Sequence, residues 1–447
     1  MRWKLAGERS RSSCAEWSGA PSSWQLRFLG LGMNVRGRVT ASAAGVLLAA
    51  GLLGVLTVGS VALPPPTVRV TLAESQLVAG PPVVLPWASR GQGALIASGV
   101  GTVSATGGSV PVPIASVAKV MTALVVLADH PLAAGAPGPS LLLTAQDAAD
   151  YQRRLPTGQS LLAVSAGERL SERQALEGLL LPSADNIADV LARWDGPPAT
   201  FLAKMNARAH AAGATQTHYT DPSGLDPATV STATDQVQVA RVALRSPVLM
   251  EIVGERAAVL PVAGVVRNYN SLLGGSTGVI GLKTGSTRAA GGCLVFAARR
   301  LVAGRQVVFI GALLGHDVGQ PPLTALRSAL LVVQAALAQA ETQVVRAPVL
   351  PPGLPVASIS TAWGARTTVR LHDPPGALVL PGTRSLVTIQ VRCPRPPVSA
   401  GASCGLVTVV VGDALSATST YRIRPTTSEG LSTPKWGWRL RHAVGLE

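Results

Sequence analysis

Three short groupings in this chain hold residue types that can break an acyl bond. The first is Ser116-Val117-Ala118-Lys119. A serine and a lysine three apart share one face of a helix, so the amine can reach the hydroxyl. A neutral lysine placed there can take the serine proton. A serine in a first helical turn also stands among unpaired backbone N–H groups at the positive end of the dipole, which suits an attack that creates an oxyanion. The second grouping is Ser183-Ala184-Asp185-Asn186, and the third is Lys283-Thr284-Gly285-Ser286-Thr287. The third offers a cation, a glycine that permits close backbone approach, and hydroxyls that can bind a carboxylate. Taken singly, the first reads more readily as a helix cap with a snorkelling lysine, and the third as a polar glycine turn. Their order and the scarcity of lysine argue against chance. Lys4, Lys119, Lys204, Lys283 and Lys435 are the only five lysines, and two of them fall in these groupings. Lysine, unlike arginine, can lose its proton when its surroundings favour the neutral form.

The surrounding pattern supplies elements to position them. Ser116–Ala128 reads as a helix with Val117, Val120, Met121, Leu124 and Val125 on one face. Ser171 with Gln174 makes a capping box before a helix ending near Leu181. Leu95–Val103 reads as a strand. Leu294–Arg299 and Gln306–Leu313 read as two strands joined through Ala303-Gly304-Arg305. Leu323–Ala340 reads as a closing helix. Further on, Thr367–Leu371, Leu386–Val391, Leu406–Val411 and Thr420–Ile423 are β-branched runs between Pro/Gly turns, which suggests a small β module of sandwich type.

Composition narrows the class. Of 447 residues, 47% are apolar, enough to bury a sizeable core, and the formal charge is +15. No basic stripe with interleaved aromatics and no zinc-finger spacing is present, so nucleic acid is not expected as a partner. With six scattered histidines and no His-Glu-x-x-His, neither a metal nor any other cofactor is expected. Cys393 and Cys404 flank a Pro/Gly/Ser-rich loop and can form a disulfide in an oxidising compartment, while Cys293 lies in an apolar run as a small core residue.

Thr40–Leu63 carries no charge and is long enough to span a bilayer, which takes about 20 apolar residues. It is either an anchor or a signal peptide cleaved near Ser60 or Ala62, and in both cases the remainder of the chain is exported. Met33 is an alternative start to Met1. The organisation expected is a disordered basic tail over 1–39, the membrane or signal segment over 40–63, and a linker over 64–88. A catalytic domain over 89–343, the β module over 344–425 and a polar tail over 426–447 complete it.

In order and separation these groupings follow the set Ser-x-x-Lys, Ser-Asp-Asn and Lys-Thr-Gly used by β-lactamases and penicillin-binding proteins. The chain resembles the D-alanyl-D-alanine carboxypeptidases, the low-molecular-weight penicillin-binding proteins, over about residues 90–342. The likeness runs through Pro113–Leu124, Gly167-Glu168, Leu179–Ser183, Thr217–Asp226, Asn270, Leu272 and Gly278–Gly285. It implies an α/β (α+β) fold of the β-lactamase and penicillin-binding type, an antiparallel sheet flanked by helices with a helical subdomain carrying Ser183. It also implies roles. Ser116 attacks the carbonyl between two terminal D-alanines of a peptidoglycan stem peptide, Lys119 is the general base, and Ser183 relays a proton to the leaving amine. Lys283 supplies positive field and lowers the pKa of Lys119. Thr284, Gly285, Ser286 and Thr287 bind the substrate, its carboxylate held by hydroxyls, and the N–H groups of Ser116 and Ser286 form the oxyanion hole. β-Lactam antibiotics are implied as inhibitors, and the location implied is extracytoplasmic, membrane-anchored or wall-directed.

One departure stands out. The resemblance implies Ser-x-Asn, but the third residue here is Asp185, which cannot donate the hydrogen bond of an amide. Either Asp185 pairs with Lys119 or Lys283 and retunes them, or a local shift brings Asn186 into the site. Competing readings are a D,D-endopeptidase or transpeptidase on the same machinery, a β-lactamase, and a non-catalytic wall-binding protein. The β-lactamase reading is weakened because no glutamate lies between Glu177 and Glu251. The intact Ser116, Lys119 and Lys283 set stands against the non-catalytic one.

Overall fold

The computed structural model describes residues 35–59, 62–78, 80–81, 83–87 and 91–446. The chain forms two compact units, one of residues 1–63 with 434–447 and the other of residues 64–433. The first holds a 25-residue helix, Val35–Gly59, and a short helix, Trp436–Ala443. The membrane segment expected over 40–63 therefore lies in a helix that already begins at Val35, inside the tail expected to be disordered. The rest of that tail lies outside the described residues.

The larger unit is organised on a five-stranded antiparallel sheet. Its order is Val279–Thr287, Gly291–Val302, Arg305–His316, Gln92–Ala97, Gly101–Thr106. Side chains alternate across a strand, so one sequence feeds two cores. Leu294 and Phe296 join Phe309 and Leu95 beneath the helix Pro322–Gln343, with Val333 and Leu337. Cys293 and Val295 face the other way, into the larger core with Ile310, Ala312 and the helix Lys119–Asp129. Both faces are thus covered, in keeping with the α+β architecture read from the sequence. Helices Ala145–Arg154, Glu172–Leu180, Asp185–Asp195 and Pro198–Ala211 form the helical part. The Ser171–Gln174 capping box is made as expected.

The fold differs from the sequence expectation at three further places. The single strand expected over Leu95–Val103 is a hairpin, because Gly99 takes φ +72° and Val100 N donates to Ala97 O at 3.0 Å. Residues 64–88 are not a linker. Thr67–Val70 pairs with Pro355–Ser360, and Ser75–Leu77 pairs with Arg384–Gln390. Nor is 426–447 a plain tail, since Thr426–Thr427 pairs with Arg366–Arg370 and Trp436–Ala443 is helical. The C-terminal module consequently contains two four-stranded sheets, each completed by a strand from before residue 78, beside the strand pair Val345–Pro348 and Gly376–Val379. Strand pairing across nearly 300 positions leaves no local signal, whereas the β-branched runs inside the module do.

The module has its own dry core, with Val356, Leu371, Val379, Val387, Val407, Val409, Val411 and Ile423. Cys393 and Cys404 are joined as a disulfide. It is fastened to the large sheet at the hairpin. Thr102 N donates to Asp413 Oδ2 at 2.8 Å, and Ser419 Oγ donates to Gly99 O at 2.8 Å.

Candidate active site

Ser116 sits in a 3-10 turn, Ala115–Ala118, that runs directly into the helix Lys119–Asp129. In a 3-10 turn residues three apart eclipse one another, so Lys119 stands over Ser116 more directly than in an α-helix. Lys119 Nζ is 2.8 Å from Ser116 Oγ. The turn is entered through Ala115 at φ +48°, a conformation unusual for a residue with a Cβ.

Two segments press against this turn and explain its glycines. A Cβ on Gly285 would lie 2.8 Å from Ser116 N and 3.0 Å from Val117 N, so only glycine lets the Val279–Thr287 strand run against the Ser116 backbone. A Cβ on Gly224, at φ +78°, would lie 1.9 Å from Ala115 O. Gly224 belongs to the loop Thr217–Asp226, whose Ser223 carbonyl accepts from Lys119 Nζ at 2.9 Å. Thr122 Oγ1, one helical turn on, donates to Pro222 O. Asp221 holds the loop rigid: its carboxylate accepts from Ser223 N, Ser223 Oγ, Leu225 N and Thr229 Oγ1. Sequence reasoning places this loop in the family likeness but gives it no role. An Asp-Pro-Ser-Gly run, with a carboxylate able to accept from residues just ahead of it, is the signal that could have found it.

Asp185 takes the first of its two alternatives. Its Oδ1 is 2.6 Å from Lys119 Nζ, with both side chains buried. Asn186 is not brought into the site. Its Oδ1 accepts from Leu162 N at 3.0 Å and its Nδ2 donates to Leu162 O at 2.9 Å. Consecutive helical residues point about 100° apart, so the helix Asp185–Asp195 can present one of them to Lys119 and not both. Ser183 lies in the turn just before this helix, buried, at φ +65°.

Lys283 is buried with its Nζ donating to Thr284 O at 2.9 Å. Burial, then the nearby Lys119 charge, hold its amine well below the ordinary lysine range, with Asp185 opposing in part. Of the two lysines, Lys119 is the one that holds the Asp185 carboxylate. Thr284 and Gly285 are buried, Ser286 and Thr287 partly exposed. Thr287 Oγ1 accepts from Ala290 N at 3.0 Å, which commits one lone pair to the turn after the strand. His218 pairs with Val230 through the backbone and stands outside this cluster, as expected of a structural histidine.

The profile of the D-alanyl-D-alanine carboxypeptidase family matches residues 102–312, a span that contains all three groupings. A D-alanyl-D-alanine carboxypeptidase of a Streptomyces strain is 34% identical over 203 residues, 41% of this chain and 67% of that protein. This chain belongs to the D-alanyl-D-alanine carboxypeptidase family. A carboxypeptidase of Mycobacterium tuberculosis is 38% identical over 202 residues, and a D-alanyl-D-alanine endopeptidase of Pseudomonas aeruginosa 35% over 191. The matches to these two span 65% and 58% of their lengths. Among solved structures of the fold, a Streptomyces DD-transpeptidase superposes with a TM-score of 0.50 at 27% identity, covering 57% of this chain and 100% of that one.

Proposed function

We propose that this protein is a serine D-Ala-D-Ala carboxypeptidase that trims the terminal D-alanine from peptidoglycan stem peptides through an acyl-enzyme on Ser116. The observation that carries the reading is the alignment of Ser116 Oγ, Lys119 Nζ and Asp185 Oδ1 at 2.8 and 2.6 Å, set against a glycine-faced strand. Ser116 is the nucleophile and Lys119 moves its proton. Ser183, beside Asp185 in the chain, passes a proton on to the leaving amine. Thr284, Ser286 and Thr287 take the substrate carboxylate, and the N–H groups of Ser116 and Ser286 take the developing oxyanion.

Lys283 has a conditional part. Burial disfavours its charge in the empty site, and a carboxylate arriving beside it restores that charge. The ammonium then offsets both the substrate carboxylate and the oxyanion. β-Lactams carry a carboxylate next to a strained amide and acylate Ser116 by the same route. Water releases the product acyl group.

The helix Val35–Gly59 anchors the enzyme in the membrane. At 1.5 Å per residue, its 25 residues reach about 37 Å, and Leu47, Leu48, Leu52 and Leu53 are exposed along it. The rest of the chain then works outside the cell, on the wall. D,D-endopeptidase cleavage is the second reading, favoured by the likeness to the Pseudomonas endopeptidase. Release of D-alanine from an N-acylated peptide ending in D-Ala-D-Ala tests the first reading. Cleavage of a cross-linked dimer with no release from that peptide establishes the second instead.

A further inference from the structure

Asp185 stands where the family likeness implies an amide, and it does something an amide cannot do. An ammonium has three hydrogens, and Lys119 Nζ meets three acceptors: Ser116 Oγ at 2.8 Å, Asp185 Oδ1 at 2.6 Å and Ser223 O at 2.9 Å. With all three hydrogens so used, Nζ has no lone pair for the serine proton. One hydrogen must leave first, and of the three acceptors only the carboxylate can bind it as a full proton.

We propose that Asp185 is the proton acceptor of a Ser116–Lys119–Asp185 relay, in which Lys119 gives a proton to Asp185 before taking one from Ser116. This rests on the acyl-transfer reading above and deepens it. The steps balance. Nζ–H breaks as Oδ1–H forms, leaving a neutral amine and a neutral carboxylic acid. The amine then takes the Ser116 proton as Oγ bonds to the carbonyl carbon. When the amide C–N bond breaks, the leaving amine receives through Ser183 one proton that originates on Lys119, and Lys119 recovers its own from Asp185. The relay returns to an ammonium and a carboxylate, with one serine proton carried to the product.

The surroundings favour this exchange. Lys119 is fully buried and the Asp185 side chain is 5% exposed, so neither proton is lost to bulk water in passing. The charged groups facing the pair are few. Lys283 approaches from the Val279–Thr287 strand, and burial and Lys119 together disfavour its charge. Asp221, on the loop behind Ser223, is bound up with Ser223, Leu225 and Thr229. Asp189, one turn along the helix from Asp185, is paired with Arg154. Two lysines therefore share one carboxylate, and the geometry gives it to Lys119. Moving a proton between two partners 2.6 Å apart in a dry site creates no net charge, whereas stripping it to solvent would.

The test is the second-order rate of acylation by benzylpenicillin, measured on the full chain in detergent from about pH 5 to about pH 10. With Asp185 as acceptor, the rate falls only when the pair gains a proton at low pH. In Asp185→Asn the amine must instead lose its proton to water, and amines titrate far above carboxylic acids. The acid limb should therefore move up by at least about one pH unit, a tenfold loss at a pH on that limb. Asp185→Glu keeps a carboxylate and should keep the wild-type limb within about 0.3 unit, with a lower plateau. An unmoved limb in a folded Asp185→Asn protein overturns the relay. If Asp185→Asn does not fold, Asp185→Glu decides: a retained limb supports the relay and an upward shift of a full unit overturns it. Wild-type protein that is never acylated at any pH removes the acyl-transfer reading itself, and the relay with it.

Discussion

The candidate active site and the C-terminal β module hold themselves together in opposite ways. The site is a buried polar cluster whose central groups are held by hydrogen bonds. Lys119 has three acceptors and Asp221 four donors, and just outside the site Asn186 holds both backbone polar atoms of Leu162. The module is a dry sandwich whose valines and isoleucines meet across two sheets. A polar cluster in low dielectric loses much when one member is removed, because its partners are left unpaired. A packed apolar layer loses an amount set by the volume deleted. Changes in the site should therefore appear as lost chemistry, and changes in the module as lost stability alone.

Gly224→Ala should separate the two most sharply. Its Cβ would lie 1.9 Å from Ala115 O, at a φ that disfavours alanine, so the loop that presents the Ser223 carbonyl must move. Penicillin acylation is expected to fall by about a hundredfold or more, since small displacements of aligned groups have effects of this size. Near-native acylation would show that the loop is not part of the site's rigidity. Asn186→Ala should come next. It leaves the Leu162 N–H and C=O buried and unpaired, and it should cost about 2–3 kcal/mol in chemical denaturation. A loss under about 0.5 kcal/mol would mean that water replaces the amide.

Glu172 offers a contrast within the same catalytic region, a buried carboxylate with no partner at all. Both of its oxygens are enclosed without a hydrogen bond, and burial pushes its carboxyl from 4.5 up to about 7. A raised acid binds its proton more tightly in the folded state, so the contribution to stability is present below 4.5 and is lost as pH rises through 7. Glu172→Gln should therefore raise the melting temperature more at about pH 8 than at about pH 5, by a few degrees. An equal gain at both pH values would place a charge partner beside Glu172. The smallest effect on chemistry belongs to the module. Opening the Cys393–Cys404 loop, 11 residues apart, should lower stability by about 2–3 kcal/mol and leave the acylation rate within about twofold. A large fall in rate would show that the fastening of the module at the Gly99 hairpin carries its state to the site.

The difference also governs what the sequence disclosed. Acyl transfer demands particular side chains at particular spacings, so Ser116, Lys119, Lys283 and the glycine of Gly285 are legible as types. The role of Asp185 is legible only as a choice between two outcomes, because the rotation of one helix decides which neighbour faces Lys119. The lowered amine of Lys283 is not legible, since burial is a property of the folded site and not of the motif. The sheet strands are legible wherever β-branched runs meet glycine turns, as in Gly291–Val302 and Arg305–His316. Thr67–Val70 and Ser75–Leu77 are not. Short edge strands lying between prolines carry no pattern of their own, and their partners are nearly 300 residues away.

The central claim is that Ser116 is the acylated nucleophile of a D-Ala-D-Ala carboxypeptidase. It is tested most directly by incubating the full chain with a penicillin, digesting it, and locating the added mass by mass spectrometry. The account predicts one penicilloyl adduct, on the peptide carrying Ser116, absent from Ser116→Ala protein that melts like the wild type. An adduct that persists in that variant, or folded wild-type protein that takes none, would contradict it.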